Sequence, residues 1–309
     1  IPSFIIVGLP DAAVQEARER IRAAIKNSGY AFPRMKVIVN LAPADVRKEG
    51  AAYDLPIAVA ILLSSDEFRG RIADTEALSR ALFVGELALS GDIRAIHGML
   101  AVASCGNAME KRIIYCPAQN TREARLLSEC TIFPVRTLRA LMEHISGNEP
   151  IVPDTEPVAF AESKTPTVDC ASIVGNEHAK RALIIAAAGN HNLLLSGPPG
   201  SGKTMLAQAL SGIMPALSRD EILTVTRIWS VAGLLPSDMP WMSERPFRDP
   251  HHSSSLVSLV GGGANPRPGE VSLAHHGVLF LDEFPEFPRS VLESLRQPLE
   301  AGSVTIARA

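Results

Sequence analysis

The sequence predicts an α/β protein of two domains, and three features support this. Strand-length apolar runs alternate with amphipathic helical patterns along both halves of the chain, which is typical of α/β folds. A polar, proline-rich segment at residues 148–168 interrupts the alternation and predicts a linker. A chain of 309 residues also exceeds the size of one ordinary core. We therefore predict domains at residues 1–147 and 169–309.

The first domain is predicted from alternating patterns that contain no nucleotide-binding motif. Ala17, Ile21 and Ile25 line one face of the first helical pattern, and Gly29 follows it as a C-terminal cap. The helices are expected at residues 11–28, 55–63, 98–106, 121–127 and 137–145. The strands are expected at residues 36–40, 82–86, 87–90, 112–115 and 132–135.

The second domain is predicted to hold a parallel β-sheet between two layers of helices. Its clearest strands, at residues 192–196 and 277–282, are short apolar runs of the kind that parallel sheets bury on both faces. A further strand is expected at residues 304–306. The helices are expected at residues 177–188, with Gly189 as cap, at 204–213 and at 290–299.

Residues 197–204 (GPPGSGKT) match the phosphate-binding loop G-x-x-x-x-G-K-[ST] between a predicted strand and a predicted helix. Glycines let backbone N–H groups turn onto phosphate oxygens, and the helix N-terminus adds partial positive charge. Lys203 is expected to reach the β- and γ-phosphates of ATP, and the Thr204 hydroxyl to hold Mg²⁺. The predicted loop residues are Gly197, Pro198, Pro199, Gly200, Ser201, Gly202, Lys203 and Thr204.

Two carboxylates, Asp282 and Glu283, end the apolar run at residues 277–282. Open α/β sheets bind ligands at the carboxyl ends of their strands. Asp282 is therefore expected to bind Mg²⁺, and Glu283 to activate the water that attacks the γ-phosphate. With Lys203, Glu283 forms the predicted catalytic pair of an ATPase.

Composition narrows the partners and the location. The net charge of −3 gives no overall basic footprint for nucleic acid, although it leaves room for contacts through a few loops. No apolar run approaches the roughly 18 residues that a membrane span needs. The four cysteines have neither disulfide nor zinc spacing, which predicts buried thiols in a reducing cytoplasm. The protein is therefore expected to be cytoplasmic, without a membrane partner.

Two histidine pairs are candidate metal ligands, and three loop arginines are candidate DNA contacts. His251–His252 and His275–His276 are adjacent pairs whose members do not share a face, so we predict Mg²⁺ as the only metal. Arg245, Arg248 and Arg267 lie in two turn-rich segments, residues 245–255 and 261–269. They are candidate contacts to a DNA backbone, although solvated surface loops explain them equally well on residue type alone.

Several segments carry a resemblance to known families. With the two nucleotide motifs, residues 173–176 (IVGN), 250–253 (PHHS) and 261–263 (GGG) resemble the magnesium-chelatase branch of the AAA+ ATPases. Residues 8–12 (GLPDA), 40–45 (NLAPAD), 48–50 (KEG) and 54–58 (DLPIA) resemble the Lon-like domain that precedes the ATPase in the YifB/ComM family.

The resemblance covers nearly the whole chain and carries expectations about function. It implies a Lon-like α/β domain at residues 1–147 and a P-loop AAA+ domain at residues 169–309, with Val174 and Gly175 in the nucleotide site. It implies a bacterial ATP-driven DNA motor that works as a hexameric ring. Such a helicase would promote branch migration when transforming DNA is integrated by homologous recombination during competence.

Three other functions compete with the DNA motor. A Lon-type protease is rejected, because residues 48–56 lack a serine and Leu100 stands where the dyad lysine would fall. A magnesium-chelatase motor subunit or protein-remodelling ATPase shares the nucleotide motifs, but chelatase motors resemble only the second half of this chain. A nucleotide-binding scaffold without turnover would have no need of Glu283.

The chain is expected to be a fragment at both ends. It begins at Ile1, inside a predicted strand, and stops at Ala309 before the sensor, arginine finger and helical lid that the resemblance implies. We expect this fragment to bind ATP weakly and to hydrolyse it poorly, because the arginine finger contributes about 10³–10⁵ in related enzymes.

Overall fold

A computed structural model describes most of the chain. The described residues are 3–8, 12–42, 50–156, 158, 168–236, 239–263 and 266–305, and the side chains of residues 12–15 are not considered. The fold is mixed α/β with parallel sheets, and it divides into two compact units, Ile1–Val158 and Ala159–Ala309. Residues 9–11, 43–49, 157, 159–167 and 306 carry parts of the family segments, the linker and the last predicted strand, and these parts lie outside the described residues.

The first unit alternates strands and helices. Its strands are β1 (Ser3–Val7), β2 (Lys36–Asn40), β3 (Ala81–Phe83), β4 (Glu86–Leu87), β5 (Ile93–Arg94), β6 (Ile113–Pro117) and β7 (Thr131–Val135). Its helices are α1 (Ala12–Asn27), α2 (Asp54–Leu63), α3 (Thr75–Ser79), α4 (Met99–Ala108), α5 (Thr121–Ala124) and α6 (Leu138–Ile145). The strands pair in parallel as β1–β2 and β3–β6–β7, and β4–β5 is antiparallel.

A hydrophobic core holds the first unit together. Helices α1, α2 and α6 place Ile21, Leu55 and Leu138 at zero exposure in one cluster. A second cluster, which includes residues of β6 and β7, buries Ile114 and Ile132 completely. Full burial of such a side chain stabilises a fold by about 1.5–3 kcal/mol relative to leaving it exposed, so the apolar periodicity explains why these elements form here.

The structure corrects three local predictions in the first unit. The strand expected at residues 82–86 is interrupted at Val84 and Gly85, between β3 and β4. The helix expected at residues 121–127 ends at Ala124, because the next amides bond three residues back (Leu127 N to Ala124 O, 3.2 Å) in a tighter turn. The strand expected at residues 87–90 is a turn after Leu87, which closes through Gly91 N and Ala88 O.

The second unit contains more helix than strand among its described residues. Its helices are α7 (Glu177–Gly189), α8 (Lys203–Ile213), α9 (Arg219–Ala232), α10 (Leu256–Val260), α11 (Glu270–Leu273), α12 (Arg289–Ser294) and α13 (Arg296–Ala301). Its strands are β8 (Phe247–Arg248), β9 (Gly261–Gly262), β10 (Arg267–Pro268) and β11 (Val278–Leu279). β8 and β11 pair in parallel, and β9 and β10 form a hairpin within a segment expected to be a loop.

The predicted parallel sheet of the second unit is realised only in part. Residues 192–196 form no strand, and Leu194 is 83% exposed, because the described residues provide no neighbouring strand to pair with that backbone. The strand expected at residues 277–282 shortens to Val278–Leu279, although Phe280 N continues the ladder to Arg248 O at 2.8 Å. Residues 304 and 305 are not a strand either.

Two helix ends in this unit also differ from expectation. The helix expected at residues 290–299 divides at Leu295, because Pro298 has no N–H to donate to Ser294, where α12 ends. Helix α7 includes Gly189, and Asn190 takes the left-handed cap conformation (φ 52°) instead. Across the described residues, no helix is long and apolar enough to cross a membrane.

Candidate nucleotide site

The glycine-rich loop lies directly before helix α8. Gly200 and Gly202 have φ angles of 77° and 83°, a left-handed backbone that residues with a Cβ adopt only under strain. Gly202 caps α8, which begins at Lys203, so the free N–H groups of the first helical turn face the loop. Backbone N–H groups at a helix N-terminus favour an anionic group such as phosphate.

The Lys203 side chain turns back over this loop. Its Nζ donates to the carbonyl oxygens of Gly197 and Pro198, both at 3.0 Å. Ser201 N closes the same turn onto Pro198 O at 3.3 Å. The Lys203 ammonium, the only charged group of the loop, is therefore bound to the loop's own backbone. To bind a triphosphate, it must exchange these two carbonyl oxygens for phosphate oxygens.

Asp282 and Thr204 meet although 78 positions separate them. Thr204 Oγ1 lies 3.4 Å from Asp282 Oδ2, and Glu283 N donates to Asp282 Oδ1 at 2.9 Å. A hydroxyl and a carboxylate are hard oxygen ligands, and Mg²⁺ is commonly held by one or two protein groups together with substrate phosphates. The pair fits such an ion, whereas the described residues contain no group of three or more His, Cys, Asp or Glu side chains that could hold a metal.

Glu283 follows with a strained backbone and a defined partner. Its φ of 51° is in the left-handed region, which costs a non-glycine residue of order 1–3 kcal/mol and persists only where the surroundings enforce it. Its Oε2 lies 3.1 Å from Nδ1 of His252, and the side chain is 64% exposed. The structure thus places Lys203 and Thr204 at the end of the loop and Asp282 and Glu283 in the segment after β11, and the Thr204–Asp282 contact joins the two segments.

Residues 173–176 contact the phosphate loop through Asn176, which was not among the predicted nucleotide-binding residues. Ile173 is buried, whereas Val174 is 94% exposed and Gly175 has a φ of 76°. Asn176 Nδ2 donates to Ser201 O at 3.4 Å and so joins this segment to the phosphate loop. Val174 and Gly175 accordingly lie next to the predicted nucleotide residues.

Asp249 is an acidic residue close to Asp282 that was not singled out from the sequence. It follows β8 directly, as Asp282 lies just beyond β11, and these strands are parallel neighbours. Partial burial, and then the nearby charge of Asp282, raise the pKa of Asp249 above its ordinary value. The signal in the sequence was weak, because Asp249 follows the polar segment at residues 245–248 rather than an apolar run, and β8 has only two residues.

The three candidate DNA arginines differ sharply in their surroundings. Arg245 is 11% exposed and donates to Pro215 O (2.5 Å) and His276 O (2.6 Å). Arg248 forms a two-point ion pair with Glu270 at 2.5 and 2.8 Å. Arg267 is exposed, whereas Arg245 and Arg248 are partly buried. Arg245 and Arg248 thus serve the internal structure of this unit.

The two histidine pairs contact carboxylate or hydroxyl groups. His251 Nδ1 lies 2.8 Å from Ser253 Oγ, and His276 Nδ1 lies 3.2 Å from Glu221 Oε1. Glu221 also caps α9, and its pKa is held below the ordinary value mainly by the Ser218 backbone N–H, with Arg245 and His276 assisting. Burial, followed by the neighbouring His276, lowers the pKa of His275.

Comparison with known proteins identifies the family. The family model "Magnesium chelatase, subunit ChlI" matches residues 169–309, and "Subunit ChlI of Mg-chelatase" matches residues 1–120. Competence protein ComM of Haemophilus influenzae is 45% identical over 313 residues, which cover 100% of this chain and 60% of that protein. YifB of Salmonella typhimurium is 46% identical over 310 residues, covering 100% and 59%. The chain belongs to the YifB/ComM family.

This family is a magnesium-chelatase-like AAA+ family, and the chain spans about 60% of the length of these curated relatives. A shorter likeness is to the archaeal Lon protease of Thermococcus kodakarensis, 39% identical over 51 residues, or 16% of this chain and 8% of that protein. This short match supports a Lon-like first domain only weakly.

The segments that carry the dyad in a Lon protease have structural contacts here. Asp54 is fully buried and accepts two hydrogen bonds from Arg20, at 3.0 and 3.3 Å. Burial raises the pKa of Asp54, against the opposing effect of Arg20. Leu100 is fully buried, and its N–H donates to Glu123 Oε1 at 2.8 Å. Residues 48 and 49 lie outside the described part.

The cysteines differ partly from expectation. Cys116 is buried, and burial raises its pKa to about 12. Cys105 is exposed, and Cys130 and Cys170 are partly exposed, so the predicted uniform burial is wrong. All four thiols are free.

Proposed function

We propose that this chain contains the nucleotide site of an ATP-hydrolysing AAA+ motor that acts on DNA. The observation that supports this most directly is the meeting of Thr204 and Asp282, 3.4 Å apart, beside a glycine loop that caps a helix. A hydroxyl and a carboxylate brought together at a phosphate-binding loop suit a phosphate-bound Mg²⁺.

Each side chain then has a role in hydrolysis. Thr204 and Asp282 would hold Mg²⁺, which neutralises charge on the phosphates. Lys203 moves from the carbonyls of Gly197 and Pro198 to the β- and γ-phosphates. Glu283 takes the proton of the attacking water, a general-base contribution of typically 10²–10⁴. Val174 and Gly175 border the nucleotide through Asn176 and the loop.

The choice of DNA as partner rests on relatives. One relative bears the name Competence protein, and the whole of this chain aligns with 60% of that protein. We propose a cytoplasmic ring, hexameric in working form, that promotes branch migration in recombination. The first unit is proposed to be a Lon-like domain at residues 1–147, joined by a linker at 148–168, that guides assembly or substrate and does not cleave peptides.

The second candidate is a chelatase-like or protein-remodelling motor. Two family models favour it, because both are models of the ChlI subunit of magnesium chelatase. Together they match residues in both units. The nucleotide chemistry is the same in both candidates, so the two differ only in the partner that stimulates hydrolysis.

The deciding experiment is the ATPase rate of the full-length protein with single-stranded, duplex and branched DNA. We expect stimulation by DNA, greatest with a branched substrate, and its loss in Glu283→Gln. Hydrolysis that no DNA changes would refute the DNA motor and favour the chelatase-like candidate. Absence of ATP-stimulated casein cleavage in the same preparation is expected for the first unit.

A further inference from the structure

His252 contacts the proposed general base but has no part in the chemistry described so far. Its Nδ1 lies 3.1 Å from Glu283 Oε2. A carboxylate can only accept a hydrogen bond, so the histidine ring nitrogen is the donor. The contact joins two segments that are 31 positions apart in the chain, so it is not a product of local turn geometry.

The strand pairing explains why these two residues meet. In the parallel pair β8–β11, Arg248 lies opposite Leu279. His252 lies four positions beyond Arg248 (248 to 252), and Glu283 lies four positions beyond Leu279 (279 to 283). Because the carboxyl ends of parallel neighbours lie at the same edge of a sheet, the segments that carry His252 and Glu283 leave the sheet from the same edge.

The His252 ring is itself held in place. It lies edge-on to the ring of Phe287 at 6.5 Å and against the ring of His251 at 4.0 Å. Phe287 is only 4% exposed and belongs to a hydrophobic cluster with Leu259 and Val291. The donor to Glu283 is therefore anchored to the packed part of the second unit, although the carboxylate is largely exposed.

Glu283 needs such a restraint. Its left-handed backbone persists only where the surroundings enforce it, and Glu286 N closes the following turn onto Glu283 O at 2.8 Å. That turn fixes the backbone, while an exposed glutamate side chain still has three rotatable bonds. Among the described residues, His252 supplies the side-chain contact that restrains this carboxylate.

We propose that His252 is the positioning residue for Glu283. The inference rests on the proposed ATPase function: His252 directs the carboxylate toward the attacking water and touches neither nucleotide nor metal. Removal of the donor should lower turnover and leave nucleotide binding intact, because a misplaced general base loses rate in the transition state rather than ground-state affinity.

The test is steady-state ATP hydrolysis by the full-length protein and three variants. His252→Ala should lower kcat about tenfold to a hundredfold and change KM for ATP by less than about twofold. His252→Asn should recover much of kcat, because Asn Nδ2 occupies nearly the same distance from Cβ as His Nδ1. His97→Ala is the matched control, since His97 is an exposed histidine of the first unit, and it should keep the wild-type kcat.

Binding of a fluorescent ATP analogue separates positioning from folding. The affinities of wild type and His252→Ala should agree within about twofold, and in a Glu283→Gln background His252→Ala should lower the residual rate no further. An unchanged or increased kcat in His252→Ala, an equal loss in His97→Ala, or a loss of analogue binding would each overturn the proposal. A wild-type protein without ATPase activity would instead refute the proposed function itself.

Discussion

Two parallel strand pairings in this molecule are stabilised in different ways. In the first unit, β6 and β7 pair over five residues, and Ile114, Cys116 and Ile132 of that sheet are fully buried. In the second unit, β8 and β11 pair over two residues that are only half-buried. Side-chain contacts such as Arg248–Glu270 and Asp282–Thr204 then order the segments beyond them. Packing defines the first unit, and directed polar contacts define the candidate site in the second.

The largest expected effect is on the polar contacts of the site. Lys203→Ala and Glu283→Gln should each lower the ATPase rate of the full-length protein by about 10²–10⁴, because each removes a group that acts on the transferred phosphoryl or its water. Unfolding of the first unit should be unchanged. Wild-type turnover in either variant would show that the site carries no hydrolysis.

The next effect distinguishes the packed unit. Leu138→Ala should destabilise the first unit by about 2–5 kcal/mol, because Leu138 is fully buried. Leu299→Ala is the control, since Leu299 is 68% exposed, and it should change stability by less than about 0.5 kcal/mol.

The two units offer separate probes for this measurement. Both tryptophans, Trp229 and Trp241, lie in the second unit. In denaturant titrations, Leu138→Ala should therefore move the circular-dichroism transition of the first unit and leave the tryptophan fluorescence transition in place. A joint shift of both signals would mean that the units unfold together.

Sequence periodicity predicted the packed unit better than the polar one. Residues 11–28 and 36–40 carry regular apolar patterns, and α1 and β2 follow them within a residue. The phosphate-loop motif likewise predicted α8 and the side chains next to it. Residues 192–196 show the limit of the method, because apolarity indicates a buried strand but not whether a partner strand is there to pair with it.

Long-range contacts account for the rest of what the sequence did not predict. The helix division at Leu295 follows from Pro298, a signal that was present in the sequence and overlooked. The His252–Glu283 and Asn176–Ser201 contacts depend on how distant segments meet, which no spacing encodes. For Arg245, residue type predicted exposure, whereas the fold provides three carbonyl oxygens as partners.

A smaller effect tests that internal role of Arg245. Arg245→Ala should destabilise the second unit by about 1–3 kcal/mol, because it removes the charged donor that three carbonyl oxygens share, of which that of His276 is partly buried. Tryptophan fluorescence in denaturant is the measurement. Arg267→Ala is the matched control, because Arg267 is exposed; stability should be kept, while affinity for DNA falls and depends less on salt. Destabilisation by Arg267→Ala and not by Arg245→Ala would reverse the two assignments.

The smallest expected effect returns to the first unit and to a polar contact at its core. Tyr30 donates to Glu143 Oε1 at 3.3 Å and packs edge-on against Phe68, and burial, followed by the Glu143 charge, raises its pKa from 10.0 to about 12. The folded state therefore favours the neutral phenol. This contribution to stability is complete below pH 10 and is lost as the pH rises toward 12.

The melting temperature of wild type should consequently fall between pH 10 and 12 more steeply than that of Tyr30→Phe, which cannot ionise. Tyr53→Phe is the control, since Tyr53 is 37% exposed, and its melting temperature should fall with pH as steeply as that of wild type. An equal fall of the melting temperature with pH in all three proteins would show that the Tyr30 hydroxyl is solvated in the folded state.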